Sequence, residues 1–130
     1  MPQISYLERA PLDLGELQNL FARAWGGDGK PAYDRVLDHS FTWVTAHEGE
    51  HLVGFVNVAW DGGAHFFMLD TTVDPDHQGR GIATTLVRRA VDACRGSGEW
   101  MHVDSDQQLM ERLYLPAGFH PTAAGLVNVT

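Results

Sequence analysis

An extended apolar stretch meets a helical one at Val73-Asp74-Pro75-Asp76-His77-Gln78-Gly79-Arg80-Gly81-Ile82-Ala83. Glycine at positions 79 and 81 lets the backbone approach a ligand closely and adopt angles that other residues resist. The first turn of a helix leaves backbone N–H groups free, and the helix dipole is positive at that end. The segment therefore predicts a phosphate-binding turn, and Arg80 adds positive charge at its rim.

Other glycine-rich motifs fit this segment less well. A Walker loop requires Gly-Lys-Ser/Thr after its spacer, which the chain lacks. The dinucleotide fingerprint G-x-G-x-x-G/A is incomplete, because Thr84 stands where a third small residue is required. A plain strand-to-helix turn, with glycines that serve packing alone, remains open at this point.

The whole segment resembles the acyl-CoA-binding signature of the GNAT superfamily of N-acetyltransferases. That signature is V-x-P followed by Gln/Arg-x-x-Gly-x-Gly/Ala, here Val73-Asp74-Pro75 and Gln78-Gly79-Arg80-Gly81-Ile82-Ala83. A second element of the family places Gly-Phe shortly after a tyrosine, here Tyr114 followed by Gly118-Phe119. The resemblance is clear from about residue 41 to residue 121 and weak before that.

Composition is typical of one globular domain, which we assign to residues 1–130. Hydrophobic residues make up 44% of the chain and charged residues 20%. No run of about 18 apolar residues occurs, and residues 1–5 lack the features of a signal peptide. The single cysteine, Cys94, is typical of a reducing cytoplasm and lies in an apolar helical pattern, which predicts a buried structural thiol.

The net charge of −8 disfavours nucleic acid as a partner, because nucleic-acid binders usually present a basic surface. An acidic surface instead attracts cationic amines. An acyl-CoA is itself an anion. The loop that contains Gly79 and Gly81, called the glycine loop below, and a few arginines therefore have to supply positive potential locally.

Periodicity predicts an α/β domain with the order β-α-α-β-β-β-α-β-α-β-β. The predicted strands are residues 4–7, 41–46, 52–60, 64–73 and 100–103, with two short strands after residue 118 that end at 127–129. The predicted helices are residues 12–25, 33–39, 81–95 and 106–115. A crossover helix makes the strand after it parallel to the strand before it. The GNAT resemblance implies a mixed central sheet in which those two strands splay apart around the thioester.

The resemblance also implies where acetyl-CoA, the expected co-substrate, would bind. The pyrophosphate would meet the backbone N–H groups of Gly79, Gly81, Ala83 and Thr84, with Gln78 and Arg80 alongside. The pantetheine arm would pair with the backbone near Val73. Gln107 stands where many relatives have an asparagine that contacts the cofactor arm. The Thr71 N–H matches the position that polarises the thioester carbonyl, as in an oxyanion hole.

Tyr114 is the candidate general acid that protonates the departing thiolate. A phenol titrates near 10, so it keeps its proton at neutral pH. The alternative is a core aromatic on the face of Leu109, Met110 and Leu113.

No general base stands out. Strict alternation places His65, Phe67, Leu69 and Thr71 on one face of their strand, and Met68, Asp70 and Thr72 on the other. Phe67 and Leu69, the positions nearest the expected thioester, cannot accept a proton. The remaining base candidates are His65, Asp70, His102 and Asp104, and the amine is otherwise expected to lose its proton to water or to arrive neutral.

In the GNAT family, the segment between the first two helices usually forms a wall of the acceptor pocket. The resemblance implies that residues 25–33 are that segment here. Trp25 and Tyr33 flank its glycines and offer faces for a cationic group. The alternative is that both aromatics anchor the helices to the core. His47 and His51 are four residues apart but span a predicted hairpin turn, so no metal site is predicted.

The leading hypothesis is a cytoplasmic N-acetyltransferase that moves acetyl from acetyl-CoA directly to the primary amine of a small cationic acceptor. The alternative is a non-catalytic acyl-CoA-binding sensor or regulatory module, since no base is evident. A third hypothesis is a structural subunit with an empty glycine loop. No nucleic acid and no membrane is expected as a partner, and a homodimer is left open.

Overall fold

Five strands form one mixed sheet in the order β1-β2-β3-β4-β5. The computed structural model describes residues 3–130; Met1 and Pro2, part of the stretch interpreted as lacking a signal peptide, lie outside them. The strands are β1 (Ile4–Glu8), β2 (Ser40–Glu48), β3 (His51–Trp60), β4 (His65–Val73) and β5 (Trp100–Val103). The helices are α1 (Leu14–Trp25), α2 (Tyr33–Asp38), α3 (Ile82–Cys94) and α4 (Gln107–Leu109), which continues as a π-helical turn over Met110–Tyr114.

Strand directions follow the predicted connections. The first four strands pair antiparallel in sequence, and β5 pairs parallel with β4 because α3 crosses over between them. The predicted α/β class, with its mixed sheet, is therefore confirmed. Among residues 3–130, no helix has the length and apolar character needed to cross a membrane.

The sheet buries a separate apolar cluster on each face. One cluster lies under α3 and contains Val44, Val56, Val58, Phe66, Met68, Ile82, Leu86, Val87 and Ala90. The other lies under α1 and α2 and contains Leu17, Leu20, Phe21, Tyr33, Leu52 and Phe55. Cys94 is 5% exposed in the first cluster, and burial raises the pKa of its thiol to about 11. The prediction of a buried structural thiol is thus confirmed.

Gly54 sets how closely α3 approaches the sheet. A Cβ atom at this position would lie 3.0 Å from Ile82 Cγ2, 3.0 Å from Leu86 Cδ1 and 3.1 Å from Ala46 Cβ. Those distances are shorter than ordinary van der Waals contact, so the glycine allows the first turns of α3 to rest directly on β3. The position of the glycine loop that precedes α3 depends on this contact.

Gly54→Ala should therefore destabilise the fold by about 1 kcal/mol, because an extra methyl in a packed core forces its neighbours to move. Urea unfolding followed by circular dichroism measures the change in the free energy of unfolding. Gly125→Ala is the matched control, since no atom lies within 4 Å of its Cβ position. Equal stability of the two variants would contradict the close contact.

Two predictions near the C-terminus were wrong or incomplete. The two short strands predicted after residue 118 are absent, and residues 119–130 contain no regular element. Leu126, Val127 and Val129 are 83–90% exposed, and an alternating apolar pattern forms a strand only where a partner strand is available. The predicted final helix exists but is π-helical in its second half, where the Leu115 N–H donates to the Met110 carbonyl over 2.8 Å.

Candidate active site

Strand β5 covers only the first half of β4. Pairing between β4 and β5 runs from His65 with Trp100 to Met68 with Val103 and ends there. Within the described residues, positions 69–73 of β4 have no strand beside them on the β5 side. This unpaired edge of β4, called the opening below, includes Thr71 and Val73 and runs along the chain into the glycine loop.

A β-bulge in β4 overturns the predicted alternation of its side chains. Phe55 of β3 pairs with Thr72 and Asn57 pairs with Leu69, so Asp70 and Thr71 together face a single residue of β3. Asp70 adopts a left-handed backbone with φ of 60°, and its carboxylate contacts residues of the α2 side. Thr72, predicted on the face of Met68, instead lies across from Phe55 on the face of α1 and α2. Strict alternation fails because the inserted residue shifts the phase of all that follow.

The glycine loop ends on an uncapped helix. Gly81 is the N-cap of α3, with φ of 76°, and no side chain caps this end. The first helical backbone bond runs from the Thr85 N–H to the Gly81 carbonyl over 3.1 Å. The N–H groups of the preceding turn, which include those of Ala83 and Thr84, therefore point out of the helix start. Gly79, with φ of 77°, and Gly81 both have open space at their Cβ positions.

Ionic contacts hold the N-terminal half of the loop. Asp74 caps the 3₁₀ turn Pro75–His77 by accepting from the Asp76 N–H over 2.9 Å, and it forms an ion pair with Arg23 of α1. Burial opposes ionisation of Asp74, but the Asp76 N–H and Arg23 outweigh it and lower the pKa of this carboxyl. The loop is thereby tied to α1 on the opposite face of the sheet from α3.

A second anchor lies at the end of β2. The Glu48 carboxylate accepts from Arg80 over 2.9 Å and lies 3.2 Å from His77 Nε2. The hydrogen bond from Arg80, followed by that from His77, lowers the pKa of Glu48. Arg80 and His77 are thus fixed beside the glycines, and the loop carries the Arg80 guanidinium in a chain of net charge −8.

The bulge residue Asp70 is the centre of a polar cluster on the α2 side. Its carboxylate accepts from the Tyr33 hydroxyl over 2.8 Å and lies 3.4 Å from Lys30 Nζ. Burial and then the charge of Asp70 raise the pKa of the Tyr33 hydroxyl, which remains a donor. Lys30 Nζ also lies 4.8 Å from the centre of the Trp25 ring.

Trp25 and Tyr33 therefore play different parts. Tyr33 is 3% exposed and packs against Phe21 and Phe55, so for this residue the alternative of a core anchor holds. Trp25 is 48% exposed and stacks on Phe21 with 5.2 Å between ring centres. One face of Trp25 is thus supported by the core while the side chain remains accessible.

Tyr114 packs into the α3 core. It is 5% exposed, and its ring lies edge-on to Phe119 at 5.5 Å. The Gly118-Phe119 element thus lies against Tyr114, as the motif requires. Gln107 begins α4, where it is exposed and donates to Glu111 over 3.3 Å.

The other three base candidates lie away from the bulge: His65 begins β4, His102 is on β5 and Asp104 directly follows β5. His65, His102 and Asp104 line a groove of about 1240 Å³ between β5, the final helix and residues 117–126. His65 Nδ1 lies 2.7 Å from His102 Nε2, and Phe67 stacks on His102. The glycine loop does not line this groove. Asp70 is the candidate that is adjacent to Thr71 along the chain, and His102 is the one that contacts Phe67. Within residues 3–130, no three or more His, Cys, Asp or Glu side chains are arranged to hold a metal ion.

The sequence did not indicate the residues that hold the glycine loop through contacts distant along the chain. Glu48 is 32 residues from Arg80, and Arg23 is 51 residues from Asp74. Neither carries a local signal, because each pair meets only when the sheet forms. Lys30 did carry a signal, since it is the single lysine of the chain and follows a glycine-rich stretch.

Comparison with known proteins agrees with this geometry. A model of the Acetyltransferase (GNAT) family matches residues 13–119. The N-alpha-acetyltransferase RimI of Mycobacterium tuberculosis is 34% identical over 80 residues, which are 59% of this chain and 51% of RimI. The chain thus spans about half the length of this curated relative.

Solved structures share the fold. Protein SA2161 of meticillin-resistant Staphylococcus aureus superposes with a TM-score of 0.83 at 19% identity, over 98% of this chain and 99% of that one. A GNAT family acetyltransferase of Brucella melitensis in complex with acetyl-CoA superposes with a TM-score of 0.69 at 18% identity, over 86% of this chain and 82% of that one. At such identities the likeness concerns the fold.

Proposed function

Because the chain belongs to the Acetyltransferase (GNAT) family, we propose that it is an N-acetyltransferase that moves acetyl from acetyl-CoA directly to a primary amine. Members of this family use acetyl-CoA as co-substrate. The observation that carries the proposal is the opening of β4 beyond Met68, which leads directly into the glycine loop. An extended acyl donor fits such an opening, with its phosphates at a helix start. Its proposed location is the cytoplasm, where acetyl-CoA is available.

The proposed donor site follows the open edge. The pyrophosphate accepts from the backbone N–H groups near the start of α3, and the pantetheine arm runs along the edge of β4. The residues assigned to the donor are Val73, Gln78, Gly79, Arg80, Gly81, Ala83, Thr84 and Gln107. Arg80 faces the phosphates while its bond to Glu48 keeps the guanidinium in place.

The proposed reaction is direct acyl transfer. A neutral amine attacks the thioester carbon, and the carbonyl oxygen gains negative charge that the Thr71 N–H stabilises. The C–S bond then breaks, Tyr114 gives its proton to the CoA sulfur, and the proton that leaves nitrogen as the amide forms restores the phenol. Phe67 and Leu69 are 40% and 41% exposed, and neither side chain can accept a proton. In the proposed reaction the incoming ammonium therefore loses its proton to water.

The proposed acceptor is a small cationic amine. Asp70 provides a carboxylate and Trp25 an aromatic face, and these two groups together recognise ammonium. Both already hold the Lys30 ammonium in the structure. An acidic acceptor would meet the Asp70 carboxylate and would be repelled.

The first experiment measures binding and turnover. Calorimetry with CoA tests whether the loop binds the cofactor, and release of free CoA thiol from acetyl-CoA tests transfer. The amine panel contains a small diamine, a peptide with a free α-amino group and an acidic amino acid; the peptide is included because RimI is an N-alpha-acetyltransferase. Cys94 is buried, so a thiol-reactive dye reports CoA with little background from the protein.

The outcomes separate the three functional hypotheses. Tight CoA binding with repeated thiol release on a cationic amine supports the enzyme. Tight CoA binding without turnover on any amine supports the sensor or regulatory module. Absence of CoA binding by folded protein supports the structural subunit and contradicts the proposed function.

Trp25→Ala should raise KM for a cationic amine roughly two- to fivefold, the effect of losing an exposed cation–π contact of about 0.5–1 kcal/mol. KM for acetyl-CoA should stay unchanged, because Trp25 lies on the acceptor side. Trp100→Ala is the matched control, since Trp100 is 55% exposed on β5. An equal rise of both Michaelis constants, or none in either, would move the acceptor site away from Trp25.

A further inference from the structure

The ammonium of Lys30 occupies the place that an acceptor amine would take. Lys30 is the single lysine of the chain. Its Nζ lies 3.4 Å from Asp70 Oδ1 and 4.8 Å from the Trp25 ring centre, and its side chain is 41% exposed. An amine nitrogen of this protein itself is therefore already held by the carboxylate and the aromatic face of the acceptor side.

Asp70 brings this amine close to the reacting centre. It directly precedes Thr71 in the β4 bulge, whose left-handed residue turns the carboxylate toward α2. The Tyr33 hydroxyl fixes the carboxylate from the core at 2.8 Å. Lys30 Nζ thus lies beside a carboxylate that is fixed from the core, one residue along the chain from the Thr71 N–H.

Two adjacent glycines separate Lys30 from the end of α1. Gly26 and Gly27 lie between α1 and Lys30, and no atom lies within 4 Å of their Cβ positions. Glycine backbone permits many conformations at low cost. Movement of this segment would therefore pivot at these two glycines, and it has to break the hydrogen bond from the Lys30 backbone N–H to the Gln18 side chain.

We propose that Lys30 is a self-acetylation site, modified within its own chain when acetyl-CoA is bound and no external amine is present. The inference rests on the proposed function, because it uses the same donor and the same transfer step. One proton leaves the ammonium for solvent, and the free Nζ pair then forms a C–N bond with the thioester carbon as the C–S bond breaks. A second proton leaves nitrogen as the amide forms and replaces the proton that Tyr114 gives to the CoA sulfur.

Acetylation changes the acceptor side. Acetyl-lysine is neutral, so the ion pair with Asp70 and the cation–π contact with Trp25 are both lost. The Asp70 carboxylate is then free to hold the ammonium of an external acceptor. Self-acetylation thus removes a competing cation from the acceptor site.

The test is intact mass spectrometry of the full-length chain incubated with acetyl-CoA alone, followed by peptide mapping. The expected result is one acetyl group for each chain, located at Lys30, and no gain at this position in Lys30→Arg. The rate for each chain should not change when the protein is diluted, because the reaction is intramolecular. Asp70→Asn should slow it about tenfold or more, since a misplaced nucleophile reacts slowly.

Chemical acetylation is measured on the chain unfolded in urea. Equal acetylation rates at Lys30 in the folded chain, the unfolded chain and Asp70→Asn would overturn the inference. A rate that rises with protein concentration would overturn it too, as would a folded chain that gains no acetyl group.

The number of thiols released for each chain distinguishes self-acetylation from the proposed function. Self-acetylation alone stops at one thiol for each chain, whereas an external amine gives repeated release. Repeated release without acetyl-Lys30 would refute the inference and leave the enzyme intact.

Discussion

Tyr114→Phe is expected to lower kcat by about 10²- to 10⁴-fold, the usual contribution of a positioned general acid. The phenol would supply the proton that turns the departing CoA thiolate into a neutral thiol. Phenylalanine keeps the ring that packs against Phe119 at 5.5 Å, so the core should remain intact. Affinity for acetyl-CoA should change little, because the loss concerns the transition state.

The chain offers a matched control for this substitution. Tyr6 lies on β1 beneath the Arg89 guanidinium, which is 5.1 Å from its ring centre. Tyr6→Phe removes the same hydroxyl group from a site outside the proposed machinery and should leave kcat unchanged. Steady-state thiol release and circular dichroism on both variants provide the comparison. Full activity in Tyr114→Phe would make Tyr114 a core aromatic only.

The sequence predicted the loop well because its signals are local. Gly81 was expected at the start of a helix, and it is the N-cap of α3 with φ of 76°. Val73 was expected at the end of the central strand, and β4 ends there. Glycine preferences and helix periodicity act over a few residues, so one sequence suffices to locate this turn.

The face of Asp70 could not be predicted, because a bulge is invisible to a period-two pattern. One extra residue in β4 changes which side chains meet α2, and Asp70 alone adopts the left-handed backbone that produces this shift. The cluster of Asp70 with Tyr33 and Lys30 depends on that shift. The sequence indicated Asp70 only as a candidate base and could not give it partners.

The prediction of two C-terminal strands was wrong because it relied on local preference alone. Leu126, Val127 and Val129 have strand-forming side chains, but a strand is defined by its partner, and these residues are exposed without one in the described chain. The bracing pairs Arg23 with Asp74 and Arg80 with Glu48 also require the assembled sheet. Local preference thus located the elements, and long-range contacts decided which of them meet.

Gly81→Val should weaken CoA binding at least tenfold, about 1.4 kcal/mol. Two effects combine at this position. A β-branched residue resists the left-handed φ of 76°, which distorts the turn. The side chain also enters the open space beside the uncapped N–H groups of α3, where the pyrophosphate is proposed to bind. Calorimetry with CoA measures the loss directly.

Gly96→Val separates backbone strain from lost recognition. Gly96 lies just beyond the other end of α3, with φ of 88° and no atom within 4 Å of its Cβ position. Both variants should therefore lose similar stability in urea, but only Gly81→Val should lose affinity for CoA. Equal CoA affinity in the two folded variants would mean that the phosphates bind elsewhere. A loss of CoA affinity in Gly81→Val alone would instead indicate that the phosphates bind the backbone at the start of α3, because Gly81 lies at that start and Gly96 does not.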